Sequence, residues 1–175
     1  ILHRCDNFTV ANLTFKGLTY GLYLGQVRNS TFRNLDLNSS RMGVHTHEGR
    51  NLTFDDVRAT GRYHMTNTRN VTIVGNSFAG IQFDGKDLSD EHLLSITDCE
   101  IIGSDPVGVN TRYGTWMNLV IENCTVRGFE SYGIKVDIFR SYLNVTNSSI
   151  SRTYWGDDLG TGLWYTGVGR AVVRG

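Results

Sequence analysis

The sequence predicts an all-β solenoid, a coil of about seven rungs of roughly 20–25 residues in which like strands stack in parallel. Three observations carry this expectation. A short phrase recurs: Asn7-Phe-Thr-Val, Asn29-Ser-Thr-Phe, Asn51-Leu-Thr-Phe and Asn70-Val-Thr-Ile, then more loosely Leu93-Leu-Ser-Ile, Asn118-Leu-Val-Ile and Tyr142-Leu-Asn-Val. An Asn or Asp follows each phrase: Asn12, Asn34, Asp56, Asn76, Asp98, Asn123 and Asn147, at spacings of 22, 22, 20, 22, 25 and 24 residues. Between these marks, apolar and polar residues alternate with the period of two that a half-buried strand requires.

One unit shows how each element arises. Leu119 and Ile121 alternate with Val120 and Glu122, giving a first strand with one inward face. Asn123 breaks it, because Asn tolerates the left-handed backbone of a tight bend. Cys124 and Val126 face inward on a second strand, and Gly128 opens a looser turn. Ile134 and Val136 face inward on a third strand, Gly133–Asp137. Three strands and three turns in so few residues fit one rung of a coil, with rungs about 4.8 Å apart. Turn Asn and Asp side chains on successive rungs are then placed to hydrogen-bond in ladders. Leucine-rich repeats need a Leu-x-x-Leu-x-Leu frame, and helical repeats a 3.6-residue period; neither is present.

Bulk composition narrows the function. The 175 residues form one domain, 1–175, long enough for a real core. Seventeen basic and seventeen acidic residues balance, so no global field favours nucleic acid or an anionic membrane. No segment is apolar for long enough to span a bilayer. The chain starts and stops inside repeats and shows no signal peptide. It is therefore expected to be a fragment of a longer solenoid, or a module whose ends are covered by other domains or subunits. Of three cysteines, Cys99 and Cys124 should stack one rung apart as buried thiols, at a separation a disulfide could also span. The repeat itself generates most of the nine Asn-x-Ser/Thr sequons.

The pattern Asn-Val-Thr-Ile-x-x-Asn…Gly-Ile-x-Val resembles the right-handed parallel β-helix family, the pectate-lyase-like superfamily, over nearly the whole chain. The resemblance implies a right-handed coil. It also implies that the third-strand sheet bears any active site, as in the polysaccharide-active members, and that a homotrimer is an option, as in phage tailspikes. The segments that mark a polygalacturonase or pectate lyase, a paired Asp-Asp and an Arg-Pro-x-x-Arg, are absent from the third strands.

The third strands are where the repeat stops repeating. Aligning their inward residues gives one outward column of Tyr23, His45, His64, Gln82, Asn110, Lys135 and Trp164. The next column holds Gly25, His47, Thr66, Asp84, Arg112, Asp137 and Thr166. The first-strand column is Thr9, Thr31, Thr53, Thr72, Ser95, Val120 and Asn144, which is far more uniform. Hydrogen-bonding side chains flanked by aromatic platforms suit a sugar polymer. Tyr23, His45, His47, Gln82, Asn110 and Trp164 are the expected substrate-binding residues, with Trp155 on the insertion Ser151–Gly160.

Three chemistries fit the columns. Asp84 and Asp137, two rungs apart with Arg112 between them, suit glycoside hydrolysis by two carboxylates. Lys135, Arg112 and His64 suit proton abstraction beside a uronate carboxylate, as in a lyase or epimerase. His45, His47 and His64, with Asp84 completing the set, are the residues that could hold a divalent metal, but clustered histidines are more often a polar surface and no cofactor is expected. The expected function is a module that binds, and in the enzymatic case cleaves, an extracellular or cell-surface polysaccharide. It would be secreted, surface-bound or carried on a virion, with neither nucleic acid nor membrane as partner. The rival expectation is a non-enzymatic structural or adhesion solenoid.

Overall fold

The computed structural model describes residues 1–85, 92–103, 107–113, 117–138, 140–151, 161–166 and 169–174, with only the backbone of Ser40. The described strands pair in parallel, each with the equivalent strand one rung away. They form an all-β solenoid of about six turns, close to the seven rungs read from the repeat.

A typical rung has a first strand such as Met117–Glu122, a second such as Thr125–Arg127 and a third such as Tyr132–Asp137. Near the N-terminus the boundaries blur: Thr9–Gly25 and Arg28–His47 each run continuously through all three. The bends remain inside them, at left-handed Asn12 and Asn34.

The inward residues build one core. Leu52, Phe54, Val71, Ile73, Leu94, Ile96, Leu119 and Ile121 from the first strands are fully buried, each burial contributing roughly 1.5–3 kcal/mol. An aromatic stack threads several rungs: Phe32 on Phe54 at 5.2 Å, Phe54 against Tyr63 at 5.6 Å, and Tyr63 on Phe78 at 4.5 Å. Inward residues of the outermost rungs, such as Phe8, Val10 and Leu163, are only partly buried. Glycine recurs before the third strand because space is short there. A Cβ on Gly108 would lie 2.6 Å from Val126 Cγ1 and 2.8 Å from the Gly133 carbonyl oxygen.

The turn asparagines form the expected ladders. Asn7, Asn29, Asn51 and Asn70 all sit at φ between 47° and 56°. Asn70 donates its side-chain amide to Asn51 (3.1 Å), Asn51 to Asn29 (2.8 Å) and Asn29 to Asp6 (2.9 Å). At the next bend Asn34 donates to Asn12 (2.7 Å) and Asn123 to Asp98 (3.2 Å).

Asn76 departs from the expected series. The left-handed position in its rung is taken by Gly75, at φ 66°, and Asn76 lies inside. There its Oδ1 accepts the Val57 N–H at 2.7 Å, and its amide donates to the hydroxyl of buried Tyr63 at 3.3 Å. The turn keeps its place five residues after the start of the phrase, where a glycine stands, so Asn76, one residue later, falls inside.

Cys99 and Cys124 are free, buried and stacked. Their thiols donate to the carbonyls of Thr97 and Glu122, each at 3.1 Å. The hydrogen bond with Cys124 and burial together push the Cys99 thiol well up, which keeps it protonated and inert.

Candidate functional site

Register places the irregular residues on one face. Tyr23 pairs with His45, His45 with His64, His64 with Gln82, Gln82 with Asn110, Asn110 with Lys135 and Lys135 with Trp164. The neighbouring column runs Gly25, His47, Thr66, Asp84, Arg112, Asp137. The inward residues between them, Met65, Phe83, Thr111 and Val136, are fully buried and hold the strands in phase.

Three predicted residues converge on Asp84. Arg112 Nε donates to its Oδ1 at 2.6 Å, Gln82 donates to Oδ2 at 2.8 Å, and His64 Nε2 donates to Oδ2 at 3.0 Å. Arg112 is its direct cross-strand neighbour, Gln82 lies two residues before it on the same strand, and His64 reaches diagonally from the rung before. The Asp84 side chain is only 14% exposed. Burial alone would raise its pKa, but the hydrogen bonds from Arg112, His64 and Gln82, with the Arg112 charge, outweigh burial and hold the carboxyl below its ordinary value. The Arg112 guanidinium also lies 5.3 Å from the Tyr113 ring.

Toward the N-terminus the face becomes aromatic. His45 stacks on Tyr23 with ring centroids 5.0 Å apart, meets His64 edge-on at 5.1 Å, and packs its Nδ1 3.4 Å from Met42 Sδ. Burial lowers the His45 pKa, and the nearby His64 and His47 lower it further. Toward the C-terminus, Lys135 Nζ sits 5.3 Å over the Tyr132 ring, and Trp164 packs edge-on to that ring while remaining 43% exposed. Two polar atoms on this face are buried without partners, His64 Nδ1 and Asn110 Oδ1. Such orphaned groups carry a desolvation cost that a bound hydroxyl or water would relieve.

Arg112 stands between Asp84 and Asp137 in register and bonds Asp84, while Asp137 accepts a hydrogen bond from Thr166 at 3.0 Å. Among the described residues no group of three His, Cys, Asp or Glu side chains is arranged to hold an ion. His45 lies on Tyr23 and against His64, His47 faces Glu48 at 3.4 Å, and His64 faces Asp84. Trp155 lies outside the described residues. Tyr132, which supports Lys135, is an addition from the structure, and Thr166 of the second column supports Asp137. Tyr132 has a visible signal, an aromatic immediately before the glycine that opens a third strand.

These features define a parallel β-solenoid with one chemically diverse face. The chain belongs to the right-handed β-helix family: the model of the right handed beta helix region matches residues 1–150 and, in an overlapping second match, 63–174. No curated protein and no solved structure matches the chain.

Proposed function

We propose that this β-helix module binds a polysaccharide laid along the third-strand face, across the rungs. The observation that supports this most is the Tyr23–Trp164 column. It is continuous over the solenoid, carries a different hydrogen-bonding or aromatic group on nearly every rung, and ends in an exposed indole. An exposed Trp presents the flat apolar platform a sugar ring packs on, and the amide and imidazole groups suit hydroxyls. If the bound glycan is cleaved, Asp84 and its partners are the favoured place. A carboxyl held ionised serves as a base or stabilises positive charge, so in a hydrolysis the acid role falls to Asp137.

A second reading, a non-enzymatic structural or adhesion solenoid, is favoured by one specific feature. Asp84 is already satisfied by three donors, as expected of an ion pair that ties rungs together.

Binding to an immobilised glycan panel, followed by a depolymerisation assay on the glycans retained, separates the two. Trp164→Ala and Gln82→Ala should each weaken glycan binding about tenfold or more, the loss of one well-placed contact. Asp84→Asn should abolish any cleavage while binding persists. Absence of binding to every glycan, or binding indifferent to Trp164 and Gln82, would leave the structural reading.

A further inference from the structure

Glu100 pairs with Thr125 in direct register, so the residues just before them, Cys99 and Cys124, stand one above the other on neighbouring rungs. The Thr125 N–H donates to the Cys99 carbonyl at 2.9 Å, which fixes the two backbones at that spacing. Strands in register lie about 4.8 Å apart, inside the span of about 4.4–6.8 Å between Cα atoms that a disulfide bridges. Both thiols point into the core, at 3% and 2% exposure, and each donates to the carbonyl two residues before it at 3.1 Å. The two side chains thus leave stacked backbones in the same direction, and their sulfurs lie within hydrogen-bonding reach of each other.

The core does not depend on these thiols as donors. The Thr97 carbonyl also accepts the Gly75 N–H, and the Glu122 carbonyl the Asp98 N–H, each at 3.0 Å. Loss of both S–H groups therefore leaves both carbonyls paired. An aliphatic side chain serves at the equivalent inward position two rungs before Cys99, where Val57 stands fully buried. The third cysteine is remote. The Cys5 carbonyl accepts the Arg28 N–H on the first rungs of the coil, and the Cys5 thiol donates to the His3 carbonyl at 3.3 Å.

We propose that Cys99 and Cys124 are an oxidation site, closed as the coil folds into a disulfide between neighbouring rungs, with a small-molecule disulfide of the glutathione class as oxidant. One cysteine thiolate attacks the oxidant and releases its first thiol. The second cysteine attacks the resulting mixed disulfide and releases the other. Two protein thiols thereby become one S–S bond, and two electrons and two protons pass to the oxidant, which leaves as two thiols. Burial closes the folded pair to a dissolved oxidant, so the exchange belongs to the stage at which the rungs are still assembling. The bond would tie the rung bearing Asn110 and Arg112 to the rung bearing Lys135 and Asp137, across the middle of the third-strand face. The inference is independent of what that face binds.

The test is refolding of the full chain from denaturant in a mixture of oxidised and reduced glutathione, followed by thiol labelling, peptide mapping without reduction, and thermal melts. Wild type should keep one labelled thiol, Cys5, and Cys5→Ser should keep none. The peptides bearing Cys99 and Cys124 should stay joined until a reductant is added. The joined residues are 25 apart in sequence, so closing that loop restricts the unfolded chain. The linked protein should then melt about 5–10 °C above the same protein with reductant. Cys99→Val, which places at this position the side chain already present at Val57, should fold and melt at a temperature indifferent to reductant. The proposal is overturned if refolded wild type keeps three labelled thiols or if Cys5 is found in the bond. It is also overturned if the linked protein melts no higher than the reduced one, or if reductant shifts Cys99→Val as much as wild type.

Discussion

The first-strand and third-strand sheets come from the same rungs at the same spacing, yet their outward faces differ in kind. The first presents Thr9, Thr31, Thr53 and Thr72 in direct register, followed by Ser95, Val120 and Asn144. The third presents Tyr, His, Gln, Asn, Lys and Trp in the same kind of column. In a stack, each outward side chain meets its counterpart above and below. A residue that pairs well with itself is therefore the simplest choice, and β-branched threonine is one. A column that abandons self-pairing must find partners diagonally, as Asp84 does, or leave groups unsatisfied, as His64 Nδ1 and Asn110 Oδ1 are. Regularity marks scaffold, and irregularity marks where the scaffold is put to use.

The largest effect should come from breaking what the faces share. Phe54→Ala removes a fully buried ring from the middle of the aromatic stack. It should cost about 3–5 kcal/mol and abolish the distinction between faces by unfolding the central rungs, read as a lowered denaturant midpoint. A retained midpoint would mean that the rungs are stabilised mainly by their ladders.

A smaller effect separates turn from face. Asn51 both adopts φ 53° and links Asn29 to Asn70. Asn51→Ala should cost about 1–2 kcal/mol, combining left-handed strain with partly solvated hydrogen bonds. Asn51→Gly should recover the backbone part, and Thr53→Ala should change stability by less than about 0.5 kcal/mol. Equal losses at Asn51 and Thr53 would erase the difference between ladder and column.

The smallest effect is a pH signature confined to the third-strand face. The His45 pKa is depressed by burial, then by His64 and His47. The unfolded chain therefore binds a proton more readily. Stability from His45 is fully present above its unfolded value of about 6.5 and is lost as the pH falls from there toward the folded value. Asp84 is depressed as well, so its contribution is present above about 3.9 and is lost only below that. Melting temperature against pH should thus fall in two separate windows. His45→Gln should flatten the upper one alone, and an unchanged upper window would show that another group titrates there.

Much of the site was legible early because it rests on counting. Period-two alternation assigns every third-strand residue to an inside or an outside, so Tyr23, His45, His64, Gln82, Asn110, Lys135 and Trp164 could be aligned before any contact was known. Counting five residues on from Asn70 lands on Gly75, which takes the turn, so the Asn beside it at 76 is not the turn residue. Counting also does not say which way a long side chain turns. Arg112 has an aspartate on either neighbouring rung and bonds Asp84, where His64 and Gln82 complete a network.

The sequence by itself determined the period, the parallel stacking and the membership of each column. Those depend on local properties: alternation along a strand, and the tolerance of Asn for a left-handed bend. Only the tertiary structure decided which members of a column meet. It turned the three histidines to three different partners and closed the Asp84 network. The physical reason is that these outcomes come from competition among side chains some twenty residues apart. That competition exists only after the coil has brought successive rungs into register.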